Sequence, residues 1–177
     1  MKYYSIQKPQ ITEVKGVFEY IGEDYEKIYV RSNTKLKAPF VEEELPQSLQ
    51  EKLNAKIKEA KEAKIAELNN KCDALLVSFC SKALEEEHIY DGGLEDQINL
   101  MGALNLGIDM PFRCKKATSE HKENILHTKE QLAQVFNDGL KYKTDIINRC
   151  GALKSYVLSL NDIESIQEVS WESEIPS

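Results

Sequence analysis

Ala74-Leu75-Leu76-Val77-Ser78-Phe79-Cys80-Ser81-Lys82-Ala83-Leu84 is the run on which the fold turns. Upstream of it, Leu49, Leu53, Ile57, Ala60, Ile65, Leu68, Cys72, Leu75 and Phe79 recur at three- or four-residue steps, with one five-residue step at Ile65. That spacing is a single apolar stripe, and it predicts one long helix over residues 47–84. The opposite face carries Lys52, Lys56, Lys58, Glu59, Glu62 and Glu67. Over 50–67 the stripe is thin, like a coiled-coil seam. Ala74 to Phe79 is apolar on more sides and is expected to be the part buried in the core.

Towards the N-terminus, Val41-Glu42-Glu43-Glu44-Leu45-Pro46 is a junction. Pro46 suits a first helical turn, and the carboxylates before it complement the positive end of the helix dipole. Residues 1–40 read as β, with short runs at Tyr3-Tyr4-Ser5-Ile6, Ile11-Thr12-Glu13-Val14, Val17 to Ile21 and Tyr25 to Val30. Gly22-Glu23-Asp24 supplies a turn, so two or three small strands are expected, with a hairpin at 17–30. Such a piece is too small to stand alone.

Towards the C-terminus, the helical pattern is interrupted at His88-Ile89-Tyr90-Asp91-Gly92-Gly93-Leu94-Glu95-Asp96-Gln97-Ile98-Asn99-Leu100. The two glycines break a helix, and Ile89-Tyr90 suggests a short strand. Leu94, Ile98, Met101, Leu104 and Leu106 then predict a second helix over about 94–106, closed by Gly107 in a left-handed conformation. Pro111 to Cys114 reads as extended, and 115–124 as a charged loop with Thr118-Ser119 at its tip. Thr128 and Gln131 form a capping box opening a helix to about residue 159, whose stripe Lys143 interrupts. Asn161-Asp162-Ile163-Glu164 is a second such box before a last short helix. Trp171, the only Trp in the chain, is expected to close the core against the two long helices. The fold class expected is α+β, mostly α: a small N-terminal β-hairpin region, two long antiparallel helices with a short helix and a short β element between them, and a short C-terminal helix. The expected division is 1–45 as a β-rich region, 46–64 as a charged helical connector, 65–171 as a helical domain and 172–177 as a flexible tail.

Composition narrows the chemistry. The chain has 177 residues, 30% charged and 41% hydrophobic, with a formal net charge of −7. An acidic balance disfavours a polyanionic partner, so nucleic acid is not expected. No run approaches the apolar length of a membrane span, and the N-terminus lacks the apolar core of a secretion signal. Cys72, Cys80, Cys114 and Cys150 are widely spaced and match no zinc pattern. Phosphate-cradling loops, nucleophile elbows and metalloprotease motifs are absent. His88, His121 and His127 read as loop residues beside carboxylates, with no ligand spacing. Paired Glu95 and Asp96 have no nucleophile or oxyanion donor with them. The better reading is structural: Asp96 or Asp91 caps the second helix, and Gln97 with Asn99 makes buried hydrogen bonds that fix its docking. No enzyme, cofactor or metal is expected.

Several words of the sequence, taken in order, carry a resemblance. They are Lys64 to Asp73, Phe79-Cys80-Ser81-Lys82-Ala83-Leu84, Tyr90 with Asp96-Gln97-Ile98-Asn99-Leu100, Phe112-Arg113-Cys114, His127-Thr128-Lys129-Glu130-Gln131-Leu132, Leu153-Lys154 and Ile163-Glu164-Ser165-Ile166. Over about residues 64–171 the chain is similar to a domain of unknown function found in bacteriophage and prophage tail proteins, often encoded beside the tail fibre. Asp96, Gln97, Asn99, Leu100, His127, Thr128, Gln131 and Trp171 stand out as a structural signature. The chain departs from that family in the highly charged 115–126 loop, which lacks the Trp that members often show there.

The resemblance implies a non-enzymatic tail protein that acts in the host cytoplasm during assembly as a tail-fibre assembly accessory or chaperone. The alternative it implies is a structural tail, baseplate or fibre-attached component of the virion. The partner implied is the tail fibre or another tail protein, met by the β-rich N-terminus and the exposed face of 50–67. The thin stripe at 49–65 leaves homo-oligomerisation open.

Overall fold

A computed structural model describes residues 1–13 and 17–176. It divides into two compact units, Met1–Ala60 and Lys61–Ser177.

In the first unit, strands β1 (Lys2–Gln7), β2 (Glu19–Glu23), β3 (Lys27–Ser32) and β4 (Val41–Glu42) form an antiparallel sheet in the order β2-β3-β1-β4. The pairing of Tyr4 with Val30 and of Ile6 with Ile28 puts alternate side chains on one face, and Tyr4, Ile6, Val30 and Phe40 are its core. The β2–β3 turn is organised by Asp24, whose Oδ1 accepts from the amides of Glu26 and Lys27 at 2.8 and 2.7 Å. Its Oδ2 accepts from the Tyr29 hydroxyl at 2.8 Å. Those amides and the hydroxyl hold the Asp24 carboxyl below the usual carboxylate range. The strand expected at 11–14 is corrected for Ile11, which lies in a 3-10 turn over Lys8–Glu13; Val14 lies outside the described residues.

Helix α1 (Gln47–Leu75) starts after Pro46, whose carbonyl accepts from the amides of Leu49 and Gln50. The boundary between the units falls inside it. In the second unit, strands β5 (Ser78–Leu84), β6 (Glu86–Asp91), β7 (Met110–Lys116) and β8 (Glu123–His127) form a second antiparallel sheet in chain order. Helix α2 (Leu94–Leu106) connects β6 to β7, α3 (Lys129–Ser159) follows β8, and α4 (Ile163–Glu168) is last.

The expected fold class is therefore corrected. The chain is 49% helix and 23% strand, an α+β fold with substantial sheet and, among the described residues, two four-stranded antiparallel sheets and four helices. The decisive error is at 78–84. Phe79, Ser81 and Ala83 are buried while Cys80 and Lys82 are exposed, an alternation of period two that belongs to a strand. It stayed hidden because Ser81 on the buried face is polar and the residues around it favour helix locally. Pairing with β6 through Ser78↔Asp91, Phe79↔Tyr90 and Ser81↔His88 overrides that preference. The hairpin also turns without a glycine, since Glu85 adopts a φ of 68°. The loop expected at 115–124 is likewise shorter, because β7 and β8 pair through Cys114↔Glu123.

The core of the second unit lies where α2 and α3 cover the sheet. Phe79, Ala83, Tyr90, Leu100, Ala103, Cys114, Leu132 and Val135 form one buried cluster. The part of α1 within this unit runs antiparallel to α3. Tyr142 donates to the Leu75 carbonyl at 3.1 Å, and Lys61 donates to the Leu158 carbonyl at 2.8 Å. Between these points Cys72 and Cys150 are both buried. Burial, and then its neighbour Cys150, push the Cys72 thiol up. Trp171 is half-buried, and its carbonyl accepts from Arg149 Nη2 at 2.8 Å. The same guanidinium holds the Ser173 carbonyl at 2.6 Å, so the expected flexible tail is anchored at its start.

Candidate functional site

Two places in the second unit collect the residues singled out from the sequence. The first is under the sheet. His127 Nδ1 is 2.7 Å from the Ile125 carbonyl oxygen, which can only accept, so Nδ1 carries the proton. Nε2 is then the acceptor, and the Tyr90 hydroxyl donates to it at 2.8 Å. Both residues are fully buried. Burial lowers the His127 pKa, and the nearby His88 adds to that. Burial first, then the Cys114 thiol, raise the Tyr90 pKa. His88, also buried, sits with Nδ1 2.9 Å from the Glu86 carbonyl.

Both members of the Tyr90–His127 pair are thus held neutral and satisfied, with no route for a substrate to either. This is a structural pair that fixes β6 against β8. Reading His88 and His127 as exposed loop residues is corrected; His121 alone of the three is exposed. Ser81, opposite His88 in the β5–β6 pairing, donates to Asp138 Oδ2 at 2.6 Å, while His88 Nδ1 keeps its own contact with the Glu86 carbonyl. Among the described residues no group of three or more His, Cys, Asp or Glu side chains is placed to hold a metal.

Thr128 caps α3 as expected. Its Oγ1 accepts from the Gln131 amide at 3.2 Å, and Gln131 Oε1 accepts from the Thr128 amide at 2.8 Å. The expected capping of α2 by Asp96 or Asp91 is corrected, because Gly93 is the N-cap and makes no side-chain cap bond. The last short helix is capped by Asp162 rather than Asn161, with the Ser165 amide donating to Asp162 Oδ2 at 2.8 Å.

The second place is a groove between α2, α3 and the start of β5. Gln97 Nε2 donates to the Gly92 carbonyl at 2.6 Å, and Lys143 Nζ donates to Gln97 Oε1 at 3.1 Å. Asn99, expected beside Gln97 in a buried hydrogen bond, is exposed instead. Leu100 goes into the core. The groove encloses about 240 Å³ and is lined chiefly by Leu76, Phe79, Met101, Phe136, Leu140 and Tyr142. Two glycines shape it. A Cβ on Gly139 would sit 2.7 Å from the Phe79 ring, so only glycine lets α3 approach β5 this closely. A Cβ on Gly92 would collide with the Leu76 carbonyl oxygen.

The outer face of α2 continues the groove as apolar surface. Leu94, Ile98 and Met101 are 74%, 58% and 51% exposed, and Leu140 on α3 is 54% exposed. Leu94, Ile98 and Met101, whose spacing predicts the helix, face outward, whereas Leu100 and Ala103 are the buried pair. A signal was present: α2 is apolar on two faces, and one sheet can cover only one of them.

A family profile described as a domain of unknown function, DUF4376, matches residues 59–171. The chain belongs to this family. No curated protein and no solved structure matches it. The DUF4376 segment contains the whole second sheet, α2, α3, α4, the Tyr90–His127 pair and the groove. No helix among the described residues is long and apolar enough to cross a membrane.

Proposed function

We propose that this protein is a non-enzymatic phage or prophage tail protein that serves as a tail-fibre assembly accessory or chaperone, acting by protein–protein binding. The phage assignment rests on the resemblance of the words around Asp96 to Leu100 and His127 to Leu132. The binding assignment rests on one structural observation: the exposed apolar stripe of α2 that runs into the groove beside α3. Contiguous apolar surface of this kind is the usual mark of a protein contact. The charged face of 50–67 supports the same role less well. Its side chains pair along the helix, as Lys64 does with Glu67 at 2.7 Å, and offer no apolar anchor.

Co-expression with a tail-fibre gene from the same phage or prophage tests the reading. Soluble, trimeric fibre is expected only when this protein is present. Fibre solubility and trimerisation unchanged in its absence would overturn the chaperone role. Mass spectrometry of purified particles separates the alternative, since a chaperone is absent or substoichiometric there and a virion component is not.

A further inference from the structure

The groove has a polar feature that a wholly apolar anchor would leave unused. Lys143 lines it, half-buried, and its one hydrogen bond among the described residues goes to the neutral Gln97 amide. An ammonium offers three donors. The chain of bonds from Lys143 to Gln97 to the Gly92 carbonyl holds that cation at the edge of an otherwise apolar cavity. Among the described residues no carboxylate is paired with Lys143, so its ammonium can take an arriving one in a charge-assisted hydrogen bond.

Resting on the binding role above, we propose that the groove takes a partner polypeptide through one large apolar side chain with a carboxylate beside it. The side chain fills the cavity and the carboxylate pairs with Lys143. A space of about 240 Å³ is on the scale of one large side chain and below the usual range for drug-sized ligands. The surroundings select a polypeptide over a free amphipathic acid. Met101 and Leu140 are half exposed at the cavity's rim, and Leu94 and Ile98 on the same face of α2 carry apolar surface beyond it. A small molecule would leave that apron wet, whereas a polypeptide anchored in the cavity covers it.

The test uses the full chain labelled with 13C at its methionine methyls. Met101 lines the groove, while Met1 and Met110 do not. The probes are acetyl-Gly-Ser-Phe-Glu-Ser-Gly-amide and its counterpart with Gln for Glu. The expected result is a saturable shift of Met101 alone, with the Glu peptide binding about three- to fivefold tighter at low salt, the size of a partly screened ion pair. In Lys143→Gln the two peptides should bind equally, and in Leu140→Ser both should weaken.

Equal binding of the two peptides to the unaltered protein, or a Met101 signal that never moves, overturns the proposal. So does decanoate binding more tightly than either peptide, which would make the groove a small-molecule site. A dimer in light scattering that Met101→Lys dissolves would give the face to a second copy and overturn it as well. Fibre rescue is scored separately. Peptide failure with fibre rescue intact removes the groove assignment alone, and lost rescue with peptide binding intact removes the chaperone role alone.

Discussion

At the scale of single residues, the Tyr90–His127 pair couples the second unit to pH. Burial holds the folded His127 pKa below its ordinary value of 6.5, so the unfolded chain binds more protons wherever the two differ. Stability tied to this group is fully present above about pH 6.5 and is lost as pH falls from there through the folded pKa, with a slope of at most ~1.4 kcal/mol per pH unit. Urea midpoints measured from pH 7.5 to 5.0 should therefore fall on acidification, and His127→Gln should flatten that slope. The carboxyls of Asp24, Glu43, Glu86 and Glu130 are all lowered from below pH 5, so they contribute at more acidic pH than this window. His127 was legible in the sequence as a position before a helix cap. Its burial was not, because contact with Tyr90 joins residues 37 positions apart.

At the scale of elements, glycines separate what a helix wants from what packing allows. Gly102 lies in the exposed middle of α2 with open space around it, whereas Gly92 abuts the Leu76 backbone. Gly102→Ala should stabilise by ~0.5–1 kcal/mol through helix propensity. Gly92→Ala should destabilise by about 1–3 kcal/mol, because a backbone carbonyl cannot rotate out of the way. Denaturant midpoints of the two variants check both signs, and a neutral Gly92→Ala would show that the β6–α2 turn relaxes freely. Element ends marked by side chains were readable. Thr128 with Gln131 and the left-handed Gly107 stand where the spacing placed them. Ends marked by tertiary pairing were not, and α1 stops at Leu75 because the next residues find a partner strand in β6.

At the scale of the whole molecule, the chain forms two units with separate cores. Trp171 belongs to the second unit, so its fluorescence reports on that unit while far-UV circular dichroism sees both. Ile6→Ala, in the first core, should lower the stability of its own unit by roughly 2–5 kcal/mol. It should leave the Trp171 transition in place, and a Trp171 midpoint that moves with it would show the two units unfolding as one. The sequence alone determined the acidic character, the absence of catalytic motifs, the apolar stripes of α1 and α3 and the capping box at Thr128. All of these depend on residue type and short spacing, which a linear reading contains. Only the tertiary structure decided that 78–84 is a strand, that His88 and His127 are buried, and that α2 turns Ile98 and Met101 outward beside Lys143. Each depends on which surface a segment meets, and the partners that make those surfaces lie far away along the chain.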